Sequence, residues 1–501
     1  MKQPLAVVLT LSALFLGATL PAPAKAEPMP ADDRARLVEL IERATTFDPR
    51  SPQPDMLIGG LRMLRDPALR PLYKRLAESD LPGLRMHGVL GLADLDDERG
   101  LDPSLLALIE NPLEQTSLFS QAARAGHINE WNLSQILAWS DLSPDLEAAV
   151  LQRSLTLGLD IDTERVRRLA GNESVAVAIM GGLILLELGH DDEAMAPVNR
   201  FFELPAEVRR SIAGMLLQHI RRESLRRAAS FVERVADDAG ASGDELLQIE
   251  AVHTLLQTES RRAAPLWMSL YDASADPATR LMLALAALES ADTALAPLYE
   301  RLIAEAPDAP LLADMGRAGL ALSAGEGRAE ALLALVAHGH GPTSQWLTGA
   351  AEDLPEHVAT PALLAIIRTA AGVGDRRADM RSASISAAAL LAERAPEALA
   401  GALREMAEAR SQSMCQSLLV GALRARATSS RFLPENVRWP GRQSEALAEL
   451  AAARFGDPGA PQHQENLRAI AFGRASLPEV FRIQAAWLAL RGAGEEQAAL
   501  R

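Results

Sequence analysis

Two histidines on a short turn, His338 and His340, form the most suggestive local pair in the sequence, within the stretch VAHGHGPTSQW. Imidazole groups at such close spacing can ligate a metal ion, and Glu352 and Asp353 follow as further candidate ligands. No third ligand stands at a regular spacing from the pair, and the sequence has no H-E-x-x-H pattern. We therefore interpret the pair as a turn between helices and predict no metal site.

Signatures of common catalytic and cofactor sites are absent from the sequence. It contains no G-x-S-x-G elbow, no Walker phosphate loop and no C-x-x-C-H haem signature. The single cysteine, Cys415, lies in the stretch SQSMCQSLLVGAL, which is typical of a small buried residue on a helix and not of a nucleophile. We predict a protein that is not an enzyme and that binds no cofactor.

The densest basic stretch is RRESLRRAASFVER, which begins at Arg221. On one continuous helix, Arg222 and Arg226 would share a face, and Glu223 would pair with Arg227. Two interpretations stay open for this stretch. It is either an ion-paired exposed face or a local binding site for an acidic segment of a partner.

The longest non-periodic segment covers residues 427–444 and reads ATSSRFLPENVRWPGRQS. Function often lies in loops held by a rigid scaffold, and arginine and tryptophan are typical anchors of interfaces. We predict partner contacts from Phe432, Arg438, Trp439 and Arg442. The alternative is a local cap that covers its own apolar surface.

These candidate residues must be positioned by a repeated framework, because the chain repeats itself. PLYKRL begins at Pro71 and PLYERL at Pro297, 226 residues or seven steps of about 32 later. Abundant alanine and leucine, with few β-branched residues, favour helices nearly throughout. Related openings fit the same period at Pro103, Pro197, Pro265 and Pro361.

A second marker falls inside the period and combines a proline, an arginine three or four residues later, and then small and apolar residues. LPAEVRRSIAGML, from Leu204, and LPEVFRIQAAWL, from Leu477, carry it most clearly. Proline suits a first helical turn, and alanine and glycine let two helices approach closely. Each unit is therefore predicted to be two antiparallel helices. We expect Arg209 and Arg482 to tie adjacent repeats through carboxylates or helix-end carbonyls.

The stretch LGHDDEAMAPV, from Leu188, followed by PAEVRRSIAGML, resembles a HEAT repeat of the short bacterial, phycobiliprotein-lyase-like type. The turn before the first helix, Pro197 within that helix, and Val208-Arg209 at the start of the second carry the resemblance. A tetratricopeptide unit is the alternative, but the recurrent Pro–Arg marker favours HEAT. The same pattern occurs more loosely at Pro71/Arg85, Pro265/Arg280 and Pro478/Arg482.

The resemblance implies an all-α solenoid, a right-handed superhelix of about a dozen antiparallel helix pairs, and it implies nothing about function. Recognisable units cover about two thirds of the chain, and the regions near 130–175 and 385–460 are degenerate. The expected divisions are a signal peptide (1–26), an N-terminal helix and linker (27–54), a HEAT-like array (55–426), an irregular insertion with one helix (427–465) and a C-terminal repeat or cap (466–501).

The first residues are typical of an export signal. Lys2 gives a positive start, residues 5–20 form an apolar stretch too short for a comfortable membrane span, and Ala24 and Ala26 form an A-x-A cleavage site. We predict cleavage after Ala26 and a periplasmic or secreted mature protein. An uncleaved N-terminal anchor is the alternative.

The chain is strongly acidic, with a formal net charge of −16 that becomes −18 when Lys2 and Lys25 leave with the signal. Such a polyanion does not suit binding to the phosphate backbone of nucleic acids. Lys74 is the only other lysine, so almost all the positive charge is carried by arginine, which forms fork-like ion pairs.

The sequence thus predicts an exported, non-catalytic scaffold that binds another protein, one of the cell envelope, through the extended concave surface of its solenoid. The alternative is a periplasmic enzyme, or an accessory subunit of one, that acts on cell-envelope glycan. The chain has only three tyrosines, and Tyr73 and Tyr299 occupy the same repeat position. That equivalence marks these two as packing residues.

Overall fold

A computed structural model describes residues 29–46, 54–96, 98–258, 260–373, 377–427 and 429–500. The predicted signal peptide lies outside these described residues. Within them the structure contains twenty-seven α-helices and no β-strand. Each helix packs against its neighbours in sequence, so the fold is an all-α solenoid.

The helices are joined by short turns. The first fourteen are α1 (Ala31–Thr45), α2 (Pro54–Arg62), α3 (Arg70–Ala77), α4 (Pro82–Asp94), α5 (Pro103–Ala107), α6 (Pro112–Arg124), α7 (Glu130–Leu137), α8 (Pro144–Thr156), α9 (Thr163–Ala170), α10 (Val175–Leu188), α11 (Asp191–Glu203), α12 (Ala206–Arg222), α13 (Ala229–Ser242) and α14 (Glu245–Leu255). The others are α15 (Ala263–Ala273), α16 (Pro277–Ser290), α17 (Ala296–Ile303), α18 (Pro310–Ala324), α19 (Arg328–Ala337), α20 (Gly341–Ala350), α21 (Glu356–Val373), α22 (Ala378–Arg394), α23 (Pro396–Glu408), α24 (Gln412–Arg424), α25 (Arg442–Phe455), α26 (Pro461–Ala471) and α27 (Glu479–Ala493).

The two sequence markers separate the helices into two layers. The P-L-x-x-x-L type of opening falls in α3, α5, α11, α15, α17 and α21, which are the first helices of their pairs. The Pro–Arg marker falls at the start of α4, α12, α16 and α27, which are second helices. Second helices also pack on one another along the array, as α2 does on α4 and α14 on α16. The predicted pairing of helices is confirmed.

A tyrosine in the first helix and a glycine in the second set the helix spacing in two units. Tyr73 of α3 and Tyr299 of α17 are fully buried. A Cβ atom at Gly91 of α4 would lie 2.6 Å from the Tyr73 ring, and Gly319 of α18 faces Tyr299 in the same way. Because a side chain at either glycine would overlap the ring, only glycine permits this approach. Both tyrosines are therefore packing residues, as their shared repeat position predicts.

The marker arginine closes the turn between the two helices of a pair. In α12, Nη1 of Arg209 donates to the carbonyl oxygens of Phe202 at 3.1 Å and Leu204 at 2.8 Å, where α11 ends. Its Nη2 also pairs with Asp238 of α13 at 3.0 Å, so one side chain links three consecutive helices. This bonding satisfies carbonyl groups that a helix end leaves free.

The same bond recurs in other units. Arg209 ties adjacent repeats as predicted, through Asp238, whereas Arg482 bonds a carbonyl within its own pair. In each case an arginine in the first turns of the second helix donates to a carbonyl at the end of the first helix or in the turn that follows. The bonds run from Arg85 to Asp80 (3.3 Å), from Arg280 to Ser274 (2.9 Å) and from Arg482 to Ala471 (3.0 Å).

The two ends of the array pack against each other. Both α1 and α2 contact α27. In the buried part of this junction, Nε2 of Gln484 donates to the carbonyl of Gly60 at 2.8 Å, and the indole of Trp487 donates to Asp66 at 2.8 Å. Ion pairs join its edge between Arg34 and Glu495 and between Asp33 and Arg468. The solenoid therefore closes on itself, and neither end is left free.

The C-terminal ends of second helices from distant parts of the chain also meet. Arg454, in the last turn of α25, donates to the carbonyls of Leu423 on α24 and Met63 after α2. Arg426 donates to the carbonyl of Ala125, just after α6 and 301 residues earlier, at 3.2 Å. These bonds cross the closed array and tie its opposite parts together.

Replacement of Arg209 by alanine should lower the free energy of unfolding by about 1–3 kcal/mol, because two turn carbonyls and Asp238 lose their donor. The neighbouring Arg210 is a matched control, since its exposed ion pair with Asp244 stabilises by less than about 1 kcal/mol. Urea denaturation of both variants checks the difference, and equal losses would contradict a special role for the marker arginine.

Replacement of Gly60 by alanine should weaken the closure, because its new methyl group would overlap Val480 of α27. We expect a loss of about 1–3 kcal/mol, as for other overpacked sites. Gly59 is the matched control, since a Cβ there meets no atom within 4 Å. Gly59→Ala should stabilise α2 by up to about 1 kcal/mol.

Denaturation midpoints, together with the radius of gyration from small-angle X-ray scattering, measure the effect at Gly60. A second change, Val480→Ala, should restore much of the stability of the Gly60→Ala variant. Identical behaviour of the Gly59 and Gly60 variants would show that α2 and α27 do not pack as described.

Candidate partner-binding site

The segment 425–441 takes the place of a first helix. Its described residues contain no helix, and α25 packs directly on α24, so this unit has a second helix only. Phe432 fills the space that a first helix would fill. Its ring is fully buried and meets the ring of Phe455 edge-on, with the centroids 5.3 Å apart.

This burial corrects the prediction that Phe432 contacts a partner, because its ring belongs to the core and does not reach the surface. Trp439 is half-buried and packs against the same core, whereas Arg438 and Arg442 are exposed. The segment thus combines both interpretations: its first part caps the core, and its second part offers side chains to the surface. Contacts of Arg438, Trp439 and Arg442 with a partner stay predictions.

Arg438 and Trp439 line a surface cavity of about 700 Å³, which we call the loop cavity. One wall is formed by residues 435–441 of the segment, and the opposite wall by the end of α23 and the start of α24. Arg442 is not among its lining residues. The cavity therefore arises only because an irregular segment, and not a helix, leads into α25.

Positive side chains outnumber negative ones around the loop cavity. Arg404, Arg410 and Arg438 line it, with Glu408 and Glu435 as the only carboxylates. None of the three guanidinium groups forms a hydrogen bond or ion pair with another described residue. Many other surface arginines are paired, as in the 2.7 Å contact of Arg210 with Asp244. The loop cavity thus keeps unpaired donors for a carboxylate beside an aromatic ring.

The second predicted contact region differs from its prediction. The expected continuous helix through Arg222 and Arg226 is wrong, because α12 ends at Arg222 and Ser224 adopts a left-handed conformation with φ of 54°. A separate 3-10 turn then begins at Arg226. Glu223 consequently pairs with the adjacent Arg222, at 2.8 Å, and not with Arg227. The two arginines do not share a helical face.

Arg222 lines a different cavity, of about 350 Å³, between the C-terminal ends of α6, α8 and α12. His219 lies in the same cavity, and its Nδ1 is 3.2 Å from Nη2 of Arg222. Burial lowers the pKa of His219 to about 4; the charge of Glu223 acts in the opposite direction, and that of Arg222 lowers the pKa further. His219 is therefore neutral at pH 7.

The paired histidines 338 and 340 serve separate elements. Nε2 of His338 contacts Asp314 at 2.7 Å, and His340 caps α20 through the backbone and hydroxyl of Thr343. Among the described residues, no three His, Cys, Asp or Glu side chains gather closely enough to hold a metal ion.

Cys415 is fully buried, as predicted, and burial raises its thiol pKa to about 11. Its thiolate is thus suppressed at neutral pH.

A buried ionic cluster at the closure has no counterpart among the sequence predictions. Asp94, at the end of α4, accepts hydrogen bonds from Nε of Arg62 at 2.7 Å and Nε2 of His127 at 2.8 Å. Burial alone would raise the pKa of Asp94, but the His127 hydrogen bond and the Arg62 guanidinium outweigh it and lower that pKa. The three residues are 32 and 33 positions apart, about one repeat each. That periodicity is the signal by which sequence reasoning could have found them.

Comparison with known proteins adds no identification: the sequence matches no protein-family model and no curated protein at a significant level. Within the described residues, no helix combines the length and the apolar character that a membrane crossing requires. The function must therefore be argued from the cavities and charges of the structure itself.

The low pKa of His219 predicts a pH dependence of stability. Between about pH 6.5 and pH 4 the unfolded chain takes up a proton at this residue that the folded chain does not. Stability should therefore fall as the pH falls through this window, by up to about 3 kcal/mol. His219→Asn, which keeps a hydrogen-bond acceptor, should flatten the dependence.

Urea denaturation at several pH values between 4 and 7.5 measures this effect. His357→Asn, on the exposed surface of α21, is the control and should leave the curve of the wild-type protein unchanged. Parallel curves for the wild type and the His219 variant would contradict the assignment of a neutral His219.

Proposed function

We propose that the protein is an exported, non-catalytic, HEAT-like scaffold that binds another protein, and that the loop cavity receives a segment of this partner. The observation that carries the proposal is the set of unpaired arginines, Arg404, Arg410 and Arg438, beside the half-buried Trp439. Arginine and tryptophan are the side chains most enriched among the energetically dominant contacts of protein interfaces.

The charge of the loop cavity favours an acidic segment. Guanidinium groups bind carboxylates through two parallel hydrogen bonds, and three of them here have no partner within the described residues. Glu408 and Glu435 would repel an acidic segment, so we expect it to place its carboxylates near the arginines and an apolar side chain against Trp439.

The loop is held in place before any partner binds. Phe432 anchors it in the core, Pro434 is buried, and the loop is flanked by α24 and α25. A preorganised surface loses little conformational entropy when it binds. A rigid binding surface suits a scaffold, whose role is to hold partners at fixed positions.

Closure of the array bears on where a partner binds. Bonds such as that from Arg426 to Ala125 cross the array and occupy helix ends that an open superhelix would offer to a ligand. We therefore place the proposed contact at the loop cavity and not along a continuous concave groove. Among the described residues, Tyr73, Tyr271 and Tyr299 are buried and offer no ring to a sugar, which gives the glycan hypothesis no support from the tyrosines.

Crosslinking of intact host cells, affinity purification of the tagged protein and mass spectrometry test the proposal. Trp439→Ala and Arg438→Glu should each remove the recovered partner, because they delete the aromatic contact and reverse one charge. Arg431→Gln is the matched control, since Arg431 is exposed on the same segment but does not line the cavity.

The acidic segment of a recovered partner, made as a peptide, should bind the purified protein at least about tenfold more tightly than its Glu→Gln and Asp→Asn counterpart, as expected for one lost charge-assisted bond. Recovery of no partner, or recovery that is equal for all variants, would overturn the proposal.

A further inference from the structure

A second basic cavity lies where the two ends of the array meet. It has a volume of about 280 Å³ and lies between the C-terminal ends of α2, α4 and α24; we call it the closure cavity. Four arginines line it, against one carboxylate, that of Asp94. The lining arginines are Arg62, Arg65, Arg424 and Arg426.

The single carboxylate is already engaged. Asp94 accepts from Arg62 at 2.7 Å and from His127 at 2.8 Å, so its two oxygens each have a cationic or polar donor. It therefore balances Arg62 and leaves Arg424 and Arg426 without a carboxylate among the lining residues.

Arginines near helix C-termini ordinarily bond the free carbonyls there, and two residues at this junction do so. Arg454 donates to the carbonyls of Leu423 and Met63, and Arg426 uses one guanidinium nitrogen on Ala125. Arg424 differs, because its side chain forms no hydrogen bond or ion pair with any described residue. Its five donors face a cavity and not a helix end.

Positive charge is crowded around this junction. Arg454 is half-buried beside the closure cavity and has no carboxylate within ion-pair distance among the described residues. Burial, and then the charge of Arg65, lower the pKa of Arg454 to about 10. A group that brought negative charge between these arginines would relieve their mutual repulsion.

We propose that the closure cavity binds a phosphate group, either free inorganic phosphate or a phosphomonoester, which Arg424 and Arg426 hold against Arg62. The fork-shaped donors of several arginines match the oxygens of a tetrahedral oxyanion better than they match a monovalent ion. The small volume suits a phosphate group, whereas the loop cavity is more than twice as large.

Phosphate at this position would act on the closure. It would bridge the end of α2, near the start of the chain, and the end of α24, near its finish. A ligand that binds the closed form alone stabilises it in proportion to the logarithm of its concentration. Phosphate would therefore strengthen the contact between α2 and α24, which lies beside the closure, and its removal would loosen that contact.

Differential scanning fluorimetry of the purified full-length protein, in low-millimolar phosphate against chloride at equal ionic strength, tests the proposal. Phosphate should raise Tm by roughly 2 °C or more at a hundredfold excess over Kd, and above Kd the rise should grow with the logarithm of the phosphate concentration. Titration calorimetry with inorganic phosphate and with glycerol 3-phosphate then identifies the ligand. Tighter binding of inorganic phosphate indicates a site for the free ion, and tighter binding of glycerol 3-phosphate indicates a site for a phosphomonoester.

Arg424→Gln should weaken phosphate binding roughly tenfold or more, because one charge-assisted pair is lost. It should fold normally, since Arg424 has no internal bond to lose. Arg424→Glu should abolish the response to phosphate and, without phosphate, should raise Tm above that of the wild type, because the new carboxylate relieves the crowded charge.

Arg438→Gln, in the loop cavity, is the control and should respond to phosphate like the wild type. An equal rise of Tm in all variants would reveal only the general salting effect of phosphate and would overturn the proposal. A wild-type Tm that is no higher in phosphate than in chloride of equal ionic strength would overturn it as well. Neither result depends on the partner proposed for the loop cavity, so the two proposals fail separately.

Discussion

Four of the described helix pairs share one hydrogen bond, in which an arginine at the start of the second helix donates to a carbonyl where the first helix ends or in the turn that follows. A helix terminus leaves carbonyls unbonded, and stacked helix pairs bring many such termini close together. Arg209 shows the full form of the bond, since it satisfies two carbonyls and also reaches Asp238 in the next pair. Arginine suits this position, because its planar fork of donors can bond carbonyls and a carboxylate together.

The packing along the array tolerates the loss of one helix. Second helices pack on one another at many positions, as α22 does on α24, and first helices do so at some, as α19 does on α21. The layer of first helices accepts a replacement, since the segment 425–441 stands in for one helix and Phe432 supplies the buried contact. The replacement of this one first helix leaves the array intact and creates the loop cavity. A binding feature is thus gained where an irregular segment stands in for a helix.

The repeat architecture could be predicted from the sequence, because proline, arginine and small residues recur at the period of the helix pairs. The pairing of helices, the packing role of Tyr73 and Tyr299 and the bonds of Arg209 and Arg482 all follow from that period.

The position of Phe432 could not be predicted, since an aromatic residue in an irregular segment looks the same whether it caps the core or projects outward. The break at Ser224 was hidden because serine carries no strong signal for a left-handed conformation. Closure itself depends on Gly60, Trp487 and Gln484, whose contacts span more than 400 residues and leave no local pattern.

Closure also has an evolutionary consequence. Open repeat proteins lengthen or shorten by gain or loss of whole units, because each unit contacts only its neighbours. In this protein the last helix must meet the first two at a fixed distance, so an added or deleted pair would leave a gap or an overlap at Gly60 and Val480. The number of units is therefore set by geometry, and descendants of this chain are free to change their loops and single helices but not their repeat count.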